Sequence, residues 1–489
     1  MSRNTVVVAV GVVYFAICAG IAVWAGRRTR TSGDFFLAGR GVGIWTLAIA
    51  AMAATLSGFA FVGGPGLVYA RGLGAVYIVL PAAMTGTLTA WVLARRMRLL
   101  GEIRGLVTVP EAVGARYRSR TAQRIAAVAI LVATVCYTAA NFLALGLIID
   151  AIFGTGVHPG VWIGAAVLVA YSATGGMLAG MYTDLFQGLL MTMVSVLVFA
   201  AVLASGDGMA SISRDILAAD PAWFGPWGTG TPLAALSFFF VFGLGTLGQP
   251  HVLHKFYMLR DPRQLRWYPL LMTGALMLTL LLFIGVGMAI KARVAAGDMP
   301  PLAIPDDATP TFLLQYTPVL LAALVFSGVA AAIMSTVNSF LNLAAAAITR
   351  DLWPASGSDA SQLRAGRLAT VVVALLGALL AVQSGALIAL LGVVGWGLFA
   401  ATLVPSLAFG LAWKGATRVG AIASMLTGLI VTVVLEVVVW RDRATLPAGV
   451  SAAGIALLAA MLVFLGVSWL TRAQAARDLD ADVAMIMER

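Results

Sequence analysis

The sequence predicts an all-α polytopic membrane protein of about thirteen transmembrane helices around two five-helix units inverted relative to one another. Three observations predict it. Of the 489 residues, 61% are hydrophobic and only 10% are charged, and the mean hydropathy of +0.98 lies far above that of soluble domains. Apolar runs of roughly 20 residues recur along the chain, each long enough to cross a hydrocarbon core of about 30 Å as a helix. Finally, two of those runs carry helix-breaking residues at their centres.

Charge clusters and Gly/Pro groups place the spans near 5–26, 43–70, 74–94, 122–153, 160–175, 181–204, 231–252, 268–292, 314–347, 366–383, 386–411, 418–440 and 450–470. An odd number of spans puts the termini on opposite sides. The loops after spans 1, 3, 5, 7, 9 and 11, with the C-terminal stretch, hold 24 of the 31 Lys and Arg residues. Lys and Arg collect in cytoplasmic loops, so the basic side is expected inside, with the N-terminus external and the C-terminus cytoplasmic. The same rule accounts for the net charge of +11 without a nucleic-acid partner.

The first apolar segment, Val6 to Gly26, is too long for a signal peptide core and is kept as a span. Cys18 and Cys136 lie inside spans, so no disulfide framework is implied. After Leu470 come about twenty residues of mixed charge, too short to fold alone. No nucleophile and base arrangement or phosphate-binding loop is present in the pattern, which argues against an enzyme.

Span 2 is interrupted at Leu56-Ser57-Gly58 and span 7 by a run from Phe242 to Pro250 containing Gly243, Gly245, Gly248 and Gln249. The breaks are five spans apart, which divides the chain into an extra helix and loop (1–42), two repeats (43–204 and 205–411), two further helices (412–470) and a tail (471–489). Glycine in membrane helices often serves close packing. Two breaks at corresponding positions of inverted halves point instead to a transporter binding site. Unwinding a helix in mid-membrane frees carbonyls that suit a cation and leaves a half-helix N-terminus that suits an anion.

Intramembrane polar residues are the next signal. Asp184 and Glu436 lie well inside spans, with Asp150 near the external end of span 4, and an ionisable group at such depth is a functional candidate. Asp184 follows Gly175-Gly176 and Thr183, whose small side chains suggest tight packing; its other reading is an acid close to the cytoplasmic surface pairing with a loop Arg. Glu436 reads as a surface or packing acid. In span 9, Ser335, Asn338, Ser339 and Asn342 share one helix face, with Thr336 beside them. Hard oxygens of this kind suit an alkali cation, and interhelical hydrogen bonding accounts for them equally well. His251 and His254 read as cap or loop residues, and Arg40 as a partner for an acid or a helix end.

The segments FFLAGRGVG, LSGFAFVGGPGLVYARG, TVPEAVGARY, YSATGGMLAGMYTDLFQG, LGQPHVLHKF and AAAIMSTVNSFLNLAAAAITRDLW occur in that order and spacing over nearly the whole chain. Together they resemble the sodium:solute symporters, and the likeness is nearest to the sodium/proline branch, especially at Gly248-Gln249-Pro250-His251. The resemblance implies the leucine-transporter-like fold. It implies a sodium site made by carbonyls of Ala53, Leu56 and Ala332 and hydroxyls of Ser335 and Thr336. In some members a second cation site would use Asp184 and Ser339. It implies a solute cavity including Thr55, Ser57, Gly58, Phe59, Tyr137, Asn141, Phe242, Thr246, Gln249 and Pro250. Where proline carriers have an acid this chain has Thr55, where they have Trp it has Phe59, and their Trp and Tyr before the Gly-Gln-Pro are Phe242 and Thr246, which puts proline in question as the solute.

The expected function is therefore sodium-coupled symport of a small organic solute, with a carboxylate, across a bacterial inner membrane. Na+ is the coupling ion and no other cofactor is implied; beyond solute and lipid, no obligate protein partner is evident. Proton coupling through Asp184 is the alternative within the same fold. A membrane solute sensor is a further one.

Overall fold

Every regular element among the described residues is helical, and the single extended pairing is an isolated parallel bridge between Val42 and Leu259. The computed structural model describes residues 3–28, 37–354, 359–384, 388–442 and 446–488. At 171 and 173–176 only the backbone is described, so the packing expected of Gly175-Gly176 lies outside the described side chains. Eleven helices among the described residues are long and apolar enough to cross a membrane. That does not establish the expected thirteen. The two remaining segments are nonetheless helical: Val157–Ala170 is a shorter apolar helix, and Val76–Thr89 continues through a π-helical turn at Ala90–Ala94.

Helix α1 (Arg3–Gly26) packs against the central helices, where the Tyr14 hydroxyl accepts a hydrogen bond of 2.7 Å from Gln187 Nε2. The first broken helix comprises α2 (Ile44–Thr55), a π-helical turn at Phe59–Gly63 and α3 (Gly64–Arg71). Chain continuity then passes through α4 (Val76–Thr89), α5 (Arg95–Arg104) and α6 (Val109–Tyr117) to the long α7 (Arg120–Phe153). The TVPEAVGARY segment is structural. Thr108 and Glu111 close a reciprocal cap on α6, and buried Arg116 donates to the carbonyls of Gly410 at 2.6 Å and Trp413 at 3.0 Å.

Helical bonding then runs from Val157 to Ser205, but within it α8 (Val157–Ala170) and α9 (Met177–Ser205) travel in opposite directions. Gly160 packs on Gly146 and Gly164 on Leu145, so α8 is antiparallel to α7. On the other limb, Gly180 meets Asn338 and Val194 meets Gly328, so α9 is antiparallel to α15 (Val319–Ala346). Since α7 and α15 are themselves antiparallel, with Gln123 bonded to Asp351 and Tyr137 against Phe340, the chain reverses between Ala170 and Met177. Segments 157–170 and 177–205 are therefore two separate helices.

After α10 (Met209–Ala219), the second broken helix comprises α11 (Pro232–Gly245), a 3-10 turn at Thr246–Gly248 and α12 (Pro250–Phe256). Proline at the start of α12 holds Gln249 extended, which ends the preceding helix. The two broken helices are antiparallel. At one end Val42 donates to Met258 O at 3.1 Å and Arg260 donates to Val42 O at 2.9 Å; at the other Thr229 donates to Arg71 O at 3.0 Å. Helix α13 (Tyr268–Ala296), which precedes the short α14 (Ala308–Tyr316), lies against α3, and its Phe283 ring fills the space a side chain at Gly64 would need, leaving only 2.0 Å for a Cβ. A Cβ on Gly66 would likewise come within 2.6 Å of Pro305 O. Close packing thus accounts for Gly64 and Gly66, and Gly63 closes the π-helical turn that leads into α3.

Helices α16 (Asp359–Ser384) and α17 (Ile388–Leu403) pack on α7, and α18 (Arg418–Asp442) and α19 (Ala452–Leu470) cover α17. After α19 a short helix, α20 (Ala481–Met487), docks back on α5, burying Val483, Ile486 and Met487. Arg104 clamps it through Asp482 at 2.5 Å and Asp480 at 2.8 Å. Glu436 is half-buried on α18, and Asp150 accepts from Gly156 N at 2.6 Å to order the turn before α8.

Candidate functional site

At the end of α2 the backbone turns extended at Leu56, so the carbonyls of Ala53, Ala54 and Leu56 lose the partners a continuing helix would supply. Two side chains on α15 meet them. Ser335 Oγ lies 2.9 Å from Ala53 O and 3.0 Å from Ala332 O, and Thr336 Oγ1 lies 3.1 Å from Ala54 O and 3.0 Å from Leu56 O. All five residues expected at the sodium site are brought together. Ala54 joins them and was missed by the sequence reading, although its position in the last turn of a broken helix was the available signal. Each hydroxyl has one proton and two carbonyls in reach, so the cluster is rich in acceptors. A set of hard, uncharged oxygens in a buried site suits a monovalent cation.

The break itself is held by α7. Asn141 Oδ1 accepts from Gly58 N at 3.0 Å while its Nδ2 donates to Tyr137 O at 2.9 Å, and Ser57 Oγ and Tyr137 OH are 3.2 Å apart. A Cβ at Gly58 would stand 2.5 Å from the Ala144 Cβ, so glycine is required for α7 to come this close.

Beside the break a cavity is lined by Thr55, Leu56, Phe59, Ala60, Ala83, Tyr137, Phe242, Leu276 and Trp396. Phe242 stacks between two rings, with centroids 5.9 Å from Phe59 and 5.3 Å from Trp396. Of the expected solute residues, Thr55, Phe59, Tyr137 and Phe242 line this cavity. Ser57, Gly58, Asn141, Thr246, Gln249 and Pro250 do not. Ser57, Gly58 and Asn141 build the break; Thr246 bonds back to Gly243 O at 2.9 Å, Gln249 Nε2 donates to Gly245 O at 2.9 Å, and Pro250 opens α12. Trp396 was not anticipated. Its signal was the Gly395-Trp396-Gly397 sequence, because Gly395 packs directly on Tyr137 and Gly397 on Ala453.

Asp184 and Ser339 are also brought near one another, and a third group lies between them. Lys255 Nζ is 2.9 Å from Asp184 Oδ2 and 3.4 Å from Ser339 Oγ, with both ion-pair side chains 2% exposed. His251 and His254 depart from the cap or loop role expected of them. Both are buried on α12, edge-on to Phe340 and Tyr257 respectively, because α2, α5, α6 and α15 enclose that short helix. Arg40 donates to Gly101 O at 2.8 Å, the helix-end partner among the two expected for it.

The sequence model described as the sodium:solute symporter family matches residues 35–428. The osmoregulated proline transporter OpuE of Bacillus subtilis (strain 168) is 28% identical over 438 residues, covering 86% of this chain and 87% of that protein. A sodium/proline symporter of Staphylococcus aureus is 29% identical over 438 residues, covering 86% of this chain and 84% of its own. Among solved structures, a Na+-coupled sialic acid symporter in its substrate-bound outward-open state superposes with a TM-score of 0.78 at 19% identity, covering 96% of this chain and 98% of that one. MHP1, a nucleobase-cation-symport-1 family transporter, superposes with a TM-score of 0.57 at 14% identity, covering 94% and 99%. Both likenesses are of fold.

Proposed function

The chain belongs to the sodium:solute symporter family, and from that premise we propose that sodium binds between the broken end of α2 and α15 and prepares the adjoining cavity for a carboxylate solute with an apolar body. As a family member it is a multi-pass, sodium-coupled symporter of a small organic solute rather than an enzyme. What carries the site assignment is the convergence of Ser335 and Thr336 on the carbonyls of Ala53, Ala54 and Leu56.

Leu56 belongs to both places, with its carbonyl in the oxygen cluster and the residue itself in the cavity lining. Sodium bound there draws α2 and α15 together and sets the cavity wall, so the ion and the solute each favour the state the other needs. Among the described residues no basic side chain lines the cavity, so a solute carboxylate is balanced by the nearby sodium and the start of the helix after the break. Among the described residues no acidic side chain lines it either. An ammonium group would lack a counter-charge, which favours monocarboxylates and pantothenate-like solutes over amino acids.

The two antiparallel broken helices support dividing the core into repeats at 43–204 and 205–411, flanked by the segments 1–42, 412–470 and 471–489. The 24 to seven distribution of Lys and Arg supports a cytoplasmic basic end in a bacterial inner membrane, with the N-terminus outside and the C-terminus inside. Exposed apolar side chains such as Trp45, Trp91 and Leu458 are the surface for lipid. Neither a partner protein nor nucleic acid is invoked.

The test is a thermal-shift screen of the purified protein against monocarboxylates, pantothenate, amino acids and sugars, each with sodium or choline. Stabilisation by a carboxylate only when sodium is present is the expected result. Stabilisation by solute in choline, with uptake driven by acidic external pH alone, would replace sodium coupling with proton coupling.

A further inference from the structure

The Lys255 ammonium, through Asp184 and Ser339, joins three elements. Lys255 stands near the end of α12, the inner half of the second broken helix; Asp184 belongs to α9 and Ser339 to α15. The ammonium meets Asp184 Oδ2 at 2.9 Å, Ser339 Oγ at 3.4 Å and Met181 Sδ at 3.8 Å, all of them buried. Asp184 Oδ1 has no hydrogen-bond partner among the described residues.

An ammonium and a sodium ion carry the same charge and call on the same ligands, a carboxylate and lone-pair oxygens. A buried pocket with one carboxylate balances one positive charge, and a second would be strongly repelled at such distances. Here the first is covalently attached. We propose that the Lys255 ammonium is a built-in occupant of the cation position formed by Asp184 and Ser339, so that sodium enters this chain at the Ser335 and Thr336 cluster alone.

The tether has a mechanical side. Lys255 is five residues beyond Pro250, on the same helical turn and a half, so a movement of α12 about the break shifts the ammonium relative to α9 and α15. A free ion would leave with the solute; this one stays and returns.

The proposal rests on the sodium-symport reading, and its test separates the two. Equilibrium binding of radioactive sodium to the purified full chain is measured for wild type, Lys255→Ala and Lys255→Ala with Asp184→Asn. The expected counts are about one ion per wild-type chain, about two after Lys255→Ala, and about one again in the double variant. Two ions on wild type, or one ion on Lys255→Ala, would overturn the proposal. A wild-type chain that binds no sodium sinks the symport reading itself. If Lys255→Ala is too unstable for binding measurements, its thermal shift in sodium against choline decides: a shift larger than that of wild type supports an opened site, and an equal shift overturns it.

Discussion

The Ser335 hydroxyl on α15 lies 2.9 Å from the carbonyl oxygen of Ala53 on α2, across 282 positions of sequence. Nothing but the break at Leu56 makes that carbonyl available, so helix interruption and hydroxyl placement are two parts of one site. Ser335→Ala and Thr336→Ala each remove one oxygen from the cluster. Each is expected to raise the sodium concentration for half-maximal uptake about tenfold, corresponding to about 1.4 kcal/mol. Sodium-activation curves in vesicles measure this, and an unchanged curve in the double variant would remove the site from α15.

Trp396 closes one side of the solute cavity by stacking on Phe242. Trp396→Phe shortens that wall while keeping a ring, and is expected to shift competition toward bulkier apolar carboxylates with sodium activation unchanged. Competition profiles for radiolabelled uptake test it. An identical profile would place the solute elsewhere.

Asn141 supplies the acceptor for Gly58 N at the break. Asn141→Ala leaves that buried donor unpaired, at a cost of about 1–3 kcal/mol. The expected outcome is a lower melting temperature together with weaker sodium activation, because the same turn presents the Leu56 carbonyl. A melting temperature equal to wild type would mean that the break is held by its backbone alone.

Asp306, in the connection between α13 and α15, accepts from Ile388 N at 2.8 Å and is buried. Burial pushes its carboxyl up to about 6 from an ordinary value of 3.8. The folded chain therefore holds this proton more tightly than the unfolded chain. Its contribution favours folding at low pH and is lost as pH rises from about 4 through about 6. Asp306→Asn should flatten that part of the stability profile and gain most over wild type above pH 6, which melting curves across the range can read. A parallel pair of profiles would rule the group out.

The C-terminal helix α20 is held by apolar contacts and by half-exposed ion pairs. Exposed pairs are worth roughly 0.2–1 kcal/mol, whereas burying a valine contributes about 1.5–3 kcal/mol. Val483→Asp should therefore release the tail more than Arg104→Ala does. Tryptic cleavage after Arg477 provides the readout, with faster cutting in the valine variant; the opposite order would make the Arg104 clamp the principal anchor.

Both breaks were legible because glycine and proline in an apolar run have few other uses, and the Ser335-Thr336 face because a helix imposes its own spacing. Those signals are local. Trp396 and Lys255 were not read, since their roles depend on which helices are brought beside them. An apolar run containing one tryptophan reads as ordinary membrane core until Phe242 is placed against it. Asp184 shows the same limit in another form: its depth marked it as functional, but the lysine that meets it comes from the far side of the second break. About twenty residues of tail are too short to fold alone, and they form their helix by docking on α5.

The short backbone pairing of Val42 with Met258 and Arg260 ties the stretch leading into one broken helix to the stretch that follows the other. Hinges on opposite halves of the molecule are thereby yoked at one rim. A passage toward that rim cannot form by parting these two strands of chain without losing both hydrogen bonds. The least costly route lies to the side, where neighbouring helices slide past a pair that tilts together.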